Sequence, residues 1–407
     1  MTQPQEPDRS GHPDFRPREP APEEVGPGIY ATQGFGNAGW IVTDEGVVVV
    51  DTGVAPQLGA RLREAIARTT DRPVRAVIYT HGHHDHVLGA PALVEDGTAV
   101  IAHENVPERF RRYTLTRDHI NRINGIQFGR DLTGRTYQYV YPTVTYHQRY
   151  ELVLGGRRIE LFHGKGETDD ATVVHVPDAR AVFAGDFLIG SFPNVGNPYK
   201  VVRYEREWYE TLERVRDLRP AAVVPGHGKI LREGQELEEV LRDTVEVLRF
   251  LHTETVRHIN QGSTLEEAVE SIRLPEHLAQ SPHLAQTYSR VEFAVANIWR
   301  RYCGWYDYNP AHLLPAPRRE VAAEVAALIG DDGRVLARAR ALHGEGRSQV
   351  ALELLDLILL RREDDRPARA LRAEILEALA AQDACLMSRD AYLHQLDRDR
   401  AFLAGQG

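Results

Sequence analysis

Cysteine is scarce: Cys303 and Cys385 are the only two in 407 residues. Neither a disulfide framework nor a thiolate metal cluster can be built from so distant a pair, which points to a reducing compartment. Long apolar runs are missing too. No stretch of about 18 apolar residues occurs, which excludes a membrane-spanning helix. The opening stretch "MTQPQEPDRSGHPDFRPREPAPEEVGPG" also lacks the apolar centre of a secretion signal. Nor is there a surplus of positive charge. With 49 Lys and Arg against 59 Asp and Glu the formal net charge is -10, which argues against a nucleic-acid partner or an anionic membrane surface. A cytoplasmic protein with no stable membrane insertion is the expectation.

The chain is too long for one compact core, so two domains are expected. Residues 1–26 are rich in proline and charge and read as a disordered lead. From Ile29 to about Leu231 short strand-like and helix-like segments alternate. "GWIVTDEGVVVVDTG" gives two strands around a turn, "PQLGARLREAIARTT" a helix, and "VRAVIYT" another buried strand. Further strands are "TAVIAH", "RRIELFHG", "ATVVHVPD", "RAVFAGD" and "AAVVPGH", several ending on a polar residue just past an apolar run. Polar groups collect at such strand ends in layered α/β folds. After about residue 232 apolar positions recur three and four apart, beginning with a long helix that stops at Gly262. Paired helices with short loops follow to the end. Domains of 27–235 and 236–407 are therefore expected, the second one all-α.

The stretch "YTHGHHDHVLGA", residues 79–90, puts four histidines and an aspartate into six consecutive positions. Strand alternation lets His81 and His83 face one way while Asp85 and His86 turn to a neighbouring point. Imidazole and carboxylate ligands in two such clusters suit two adjacent divalent cations, zinc or a similar metal. A merely histidine-rich surface loop would leave the other polar strand ends unexplained.

"THGHHDH" resembles the HxHxDH signature of the metallo-β-lactamase superfamily, and its companions are present. "VVVVDTG" at 47–53 resembles the family's early strand and turn, so that Asp51 would orient a ligand histidine from behind. "FAGD" at 183–186 resembles the strand ending in the bridging acid, here Asp186, and "VVPGHG" at 223–228 resembles the motif that supplies His227. Where most members carry a "GHT"-like turn, this chain has "GET" at 166–168, as alkylsulfatases of the SDS-hydrolase type do. Those sulfatases tend to bridge with glutamate, so Asp186 makes the ligand set a hybrid. "RFLHTETVRHINQG", "SIRLPEHLA" and "NIWRRYCGWYDYNPAHLLP" are similar to the alkylsulfatase dimerisation domain. The sterol-carrier-like domain and export signal of longer sulfatases are not seen.

The resemblance implies an αββα sandwich followed by a helical dimerisation domain, and a homodimer. It implies one metal held by His81, His83 and Glu167, another by Asp85, His86 and His227, and Asp186 between them. Two divalent ions, zinc foremost with manganese or iron admissible, would leave this shell at net +1, which a bridging hydroxide neutralises. The implied reaction is hydrolysis of a small anionic ester, an alkyl sulfate first and a lactone, thioester or phosphoester as the alternative. Asp85, Lys200 and Arg203 are the candidate catalytic residues, the last two as sulfate-binding donors. Asn194, Asn197 and Tyr199 in the same loop, with Asn121 and Asn124 in "RDHINRINGIQFGR", are further substrate-side candidates. His84 is expected to point away from the metals, and His103, His163 and His175 to be structural. The tyrosine-rich stretch 137–150 reads as core or edge strand. A non-catalytic scaffold would be favoured by a missing ligand, and a diiron redox protein by a flavin motif; the sequence shows neither.

Overall fold

The computed structural model describes residues 21–405. The lead expected over 1–26 lies mostly outside them, but its end is ordered: Glu23–Gly26 is strand β1, paired antiparallel with β2 (Ile29–Thr32). With β3 (Ala38–Thr43), β4 (Gly46–Val50), β5 (Val74–Ile78), β6 (Ala99–His103) and β7 (Val144–Tyr146) they make a seven-stranded sheet in chain order. Pairing turns parallel from β4 onward. A second sheet runs β13 (Leu231–Arg232), β12 (Ala222–Pro225), β11 (Ala181–Gly185), β10 (Thr172–Val176), β9 (Arg157–His163), β8 (Arg149–Leu154).

The four valines of β4 show why the strands stack as layers. All are buried, because each face of the strand meets a different core. Val48 and Val50 point between the sheets, with Ile41, Ile78, Val174 and Phe183. Val47 and Val49 point outward onto helix α1 (Pro56–Ala67), against Leu62 and Ile66. Burying each such side chain contributes about 1.5–3 kcal/mol. Space between the sheets is tight: a Cβ on Gly39 would come within 2.4 Å of the Phe183 ring. Helices α2 (His84–Val87), α3 (Val106–Leu115) and α4 (Arg117–Phe128) follow α1. The second sheet is covered by α5 (Glu205–Asp217), α6 (Gln235–Asn260) and α9 (Val291–Tyr302), with α7 (Leu265–Ser271) and α8 (Glu276–Ala279) between the last two. The expected order helix, sheet, sheet, helix is what forms.

The chain divides into two compact units, 1–122 with 132–303, and 123–131 with 304–407. The expected boundary at 235/236 thus moves to 303/304. The change in periodicity marks where helices begin, not where the core ends. Leu237, Leu241, Val245, Leu248 and Leu251 of α6 share one core with Trp208 and Val223, and Ala294 and Ile298 of α9 join it. The second unit is helical: α10 (Pro310–Leu313), α11 (Arg318–Ile329), α12 (Asp332–Gly344), α13 (Ser348–Leu359), α14 (Arg366–Gln382) and α15 (Leu386–Leu403). Val335, Leu342, Leu355, Ile358, Leu371 and Ile375 form its core. Asp331 and Asp365 cap α12 and α14, each accepting a backbone N–H. The final helix is held by Asp399, fully buried between Arg369 at 3.0 Å and Arg372 at 2.6 Å. No described helix is long and apolar enough to cross a membrane.

Candidate metal centre

The site sits at the ends of β4, β5, β11 and β12, where the polar residues following each apolar run converge. Asp51, one residue past β4, takes the left-handed conformation at φ 60°. That turn lets its carboxylate accept from the Thr80 backbone N–H at 2.7 Å, from the Thr80 hydroxyl at 2.6 Å, and from His86 Nδ1 at 2.8 Å. The Thr80 hydroxyl gives its proton to Asp51, so at 3.1 Å from His81 Nδ1 it can only accept. His81 therefore carries its proton on Nδ1, and its Nε2 lone pair faces the site. His86 has the same tautomer because of Asp51, and His227 because Nδ1 donates to the Phe35 carbonyl. Three imidazoles are thus oriented as ligands by partners behind them.

Asp186 is the centre of the arrangement. Its Oδ2 lies 3.5 Å from His81 Nε2 and 4.0 Å from His83 Nδ1. Its Oδ1 lies 3.3 Å from both His86 Nε2 and His227 Nε2. Asp85 Oδ2 completes the second group, 3.6 Å from His86 Nε2 and 3.3 Å from His227 Nε2. Glu167 stands at the edge of the first, 3.8 Å from His83 Nδ1. The seven ligand positions expected from the sequence are thus brought to one place. Gly226 makes room for the shared acid, since a Cβ there would fall 2.0 Å from Asp186 Oδ1.

The donor set fits two divalent cations. His86 Nε2 and Asp186 Oδ1 are buried and make no hydrogen bond, a costly state that a shared cation removes. Electrostatics point the same way. Burial opposes charge on His227, yet the Asp186 and Asp85 carboxylates outweigh it and lift its pKa to about 10. His86 is raised well above its ordinary value against the same burial, by Asp186, Asp85 and Asp51. Asp186 resists protonation in spite of burial because His227, His86 and His81 surround it. The pocket thus draws in positive charge. A third group, His103, Glu104 and His147, is also close enough to share an ion. There, however, His103 Nε2 is engaged by the His147 carbonyl at 2.9 Å and Nδ1 accepts the Asn105 N–H at 3.2 Å, so both ring nitrogens are occupied.

Several substrate-side expectations are corrected by the geometry. Arg203 is 2% exposed, and its guanidinium binds the Glu167 carboxylate and, at 2.6 Å, the Asn194 carbonyl. It steadies a ligand rather than reaching toward substrate. Asn194 does likewise, donating to Glu167 Oε1 at 3.0 Å. Asn121 donates to the Arg135 carbonyl and accepts from the Tyr137 hydroxyl, both at 2.8 Å, and so fastens the chain after α4. Asn124 lies farther along α4, in the stretch grouped with the second unit. Asn197 shapes a turn, accepting the Tyr199 N–H on its side chain at 2.9 Å and the Lys200 N–H on its carbonyl. Lys200 keeps its place among the candidates. It is half-buried, burial and Arg203 lower its pKa to about 7, and the Glu167 and Asp85 carboxylates oppose that shift.

His84 turns from the metals as expected, bonding the Tyr139 hydroxyl at 2.7 Å with its ring 4.1 Å from that of Tyr137. Tyr137 and Tyr139 therefore serve the histidine loop from an irregular segment, and the stretch enters strands only at Val144–Tyr146 (β7) and from Arg149 on (β8). His103 and His163 stack at 3.7 Å, and His175 pairs with Glu160 at 3.1 Å. Tyr288 is a site residue that the sequence does not announce. Burial raises its pKa strongly, and the Glu167, Asp85 and Asp186 carboxylates add to the effect, which places its hydroxyl in the field of the site. A lone tyrosine in "AQTYSR" carries no signal that could reveal it.

Comparison with known proteins agrees with this geometry. Residues 31–227 match the family model for the metallo-beta-lactamase superfamily, and residues 264–401 match that for alkyl sulfatase dimerisation. A linear primary-alkylsulfatase of Pseudomonas sp. (strain ATCC 19151) is 27% identical over 380 residues, covering 87% of this chain and 72% of its own length. An (R)-specific secondary-alkylsulfatase of Pseudomonas sp. is 24% identical; the match takes in 91% of this chain and 61% of that protein. The solved structure of the inverting sec-alkylsulfatase Pisa1 from Pseudomonas sp. superposes with a TM-score of 0.85 at 22% identity, over 93% of this chain and 66% of that one, and so shares the fold. With its sandwich, its clustered histidines and aspartates and both family matches, the chain belongs to the metallo-beta-lactamase superfamily and carries an alkyl sulfatase dimerisation domain after the sandwich.

Proposed function

We propose that this chain is a metal-dependent hydrolase of sulfate esters, with an alkyl sulfate as substrate. The observation that carries the reading is Asp186, whose two oxygens face two separate ligand groups, His81 with His83 and His86 with His227. His81, His83 and Glu167 would hold one ion; Asp85, His86 and His227 the other; Asp186 both. Four imidazoles and three carboxylates suit zinc, and so rich a carboxylate supply accommodates manganese or iron. Divalent ions held there supply Lewis acidity and lower the pKa of water toward neutrality.

The chain's own residues do the rest. Asp51, Thr80 and the Phe35 carbonyl hold three imidazoles with Nε2 turned toward the site, and the protons that His86 and His227 carry there give way to an arriving ion. Lys200 sits within the field of both Glu167 and Asp85 and supplies positive charge for an anionic ester head. Tyr288 stays protonated and can donate a hydrogen bond to a sulfate oxygen. The alkylsulfatase relatives support the sulfate reading over a lactone, thioester or phosphoester. Inorganic sulfate released from dodecyl sulfate and from a short secondary alkyl sulfate, beside a phosphoester, a lactone and a thioester, tests it. Turnover confined to the other esters would overturn the sulfate assignment.

The dimerisation match supports a homodimer as the working form. In the second unit Trp305 is 76%, Tyr308 84% and Leu314 90% exposed within ten residues of one another, an apolar patch suited to a second copy. Light scattering should give twice the 45.8 kDa chain mass, and Trp305→Glu with Leu314→Glu should return the monomer. A monomeric parent would contradict this.

A further inference from the structure

Arg203 sets the two ligand groups apart. Glu167 brings one negative charge to the His81 and His83 side, and the Arg203 guanidinium sits directly on it. Asn194 donates to the same Oε1 at 3.0 Å, so that oxygen already has two donors. The Arg203 backbone is held in place. Asn297 of α9 accepts its backbone N–H at 3.0 Å and donates to its carbonyl at 3.4 Å, and the next residue, Tyr204, donates its N–H to the Gly166 carbonyl at 3.0 Å. The loops carrying Arg203 and Glu167 are thus fastened to each other. On the other side the carboxylates meet imidazoles rather than a guanidinium. Asp85 faces the His86 and His227 nitrogens, and Asp51 stands behind His86 at 2.8 Å. Arg109, which acts on His83, is matched by Asp170 at 2.6 Å. Lys200 acts on both Glu167 and Asp85, and Asp186 is common to both groups.

We infer that the two metal positions are unequal: the Asp85, His86 and His227 position fills first, and the His81, His83 and Glu167 position binds more weakly because Arg203 neutralises Glu167. This rests on the two-ion reading above. One uncompensated charge a few ångströms from an ion, in a half-screened interior, separates the two affinities by about 10- to 100-fold. Arg203 is on this view a positioning residue, fixing where Glu167 stands and how much charge it offers.

The test is a titration of the full chain, stripped by chelator, with zinc against a chromophoric chelator, bound ions being counted by native mass spectrometry. Two steps of unequal affinity are expected. His83→Ala should remove the weaker step and His227→Ala the tighter one. Arg203→Met should bring the two steps together by tightening the weaker, while Arg203→Lys keeps them apart. Should Arg203→Met unfold, as circular dichroism would show, the order of loss in the two histidine variants still decides. Two ions of equal affinity, loss of the tighter step in His83→Ala, or a weaker step weakened further in a folded Arg203→Met would each overturn the inference and leave the hydrolase reading standing. A folded chain that binds no zinc would overturn both.

Discussion

Asp186→Ala is expected to bind neither ion tightly and to hydrolyse its ester roughly 1,000-fold more slowly, a loss of about 4 kcal/mol in transition-state stabilisation. The reason is geometric. Each of the other ligands belongs to one group, but Asp186 presents Oδ2 to His81 and Oδ1 to His86 and His227. Losing it removes a ligand from both positions and the negative charge that draws both cations in. Asp85→Ala strips only the His86 and His227 side and should leave one ion bound. Elemental analysis beside initial rates would check this. Two ions retained in a folded Asp186→Ala would show that the acid does not bridge.

Arg109→Met is expected to cost about 3–5 kcal/mol of stability, because it leaves Asp170 as a fully buried, unpaired carboxylate. Arg109 Nε donates to Asp170 Oδ2 at 2.6 Å, and the same oxygen accepts the Gly82 N–H at 3.1 Å, between the two ligand histidines. Burial alone would raise the Asp170 pKa, yet Arg109 holds it well below the usual carboxylate range. A depressed folded pKa adds stability above the unfolded value of about 3.9 and forfeits it as pH falls toward the folded one. Above about pH 5 the parent should therefore feel no change from this group. In Arg109→Met burial outweighs what His81, Thr168 and the Gly82 N–H still offer, the folded pKa rises above the unfolded one, and the sign reverses. The variant should lose further stability as pH rises from about 4 to 7. Thermal melts at about pH 4.5, 6 and 7.5 would show a deficit that widens with pH, reaching roughly 5–15 °C. A deficit independent of pH would mean that Asp170 is not left charged and unpaired.

The parts of this molecule that depend on neighbours along the chain are legible in the sequence itself. Val47–Val50 reads as a strand buried on both faces because every residue is β-branched and apolar. The density of ligands in 81–86 reads as a metal loop because so many imidazoles serve no other common purpose. What the sequence conceals depends on contacts across long separations. Arg203 looks like a free anion receptor until Glu167 is seen beside it, 36 positions away by number, and until Asn297 is found clamping its backbone from 94 positions on. Asn121 looks like a polar donor until the Tyr137 hydroxyl is found on it. The domain boundary misleads for a related reason. Helical periodicity says what α6 is, whereas only packing says that its apolar face completes the core under β11 and β12.

The most direct measurement is sulfate release from an alkyl sulfate by one preparation assayed three times: as purified, stripped by chelator, and reloaded with zinc to two ions per chain. Release should vanish on stripping and return in proportion to the second ion bound. Unchanged release from the stripped, folded protein would contradict a metal-dependent sulfate ester hydrolase at this site, and so would its absence from protein that holds two ions.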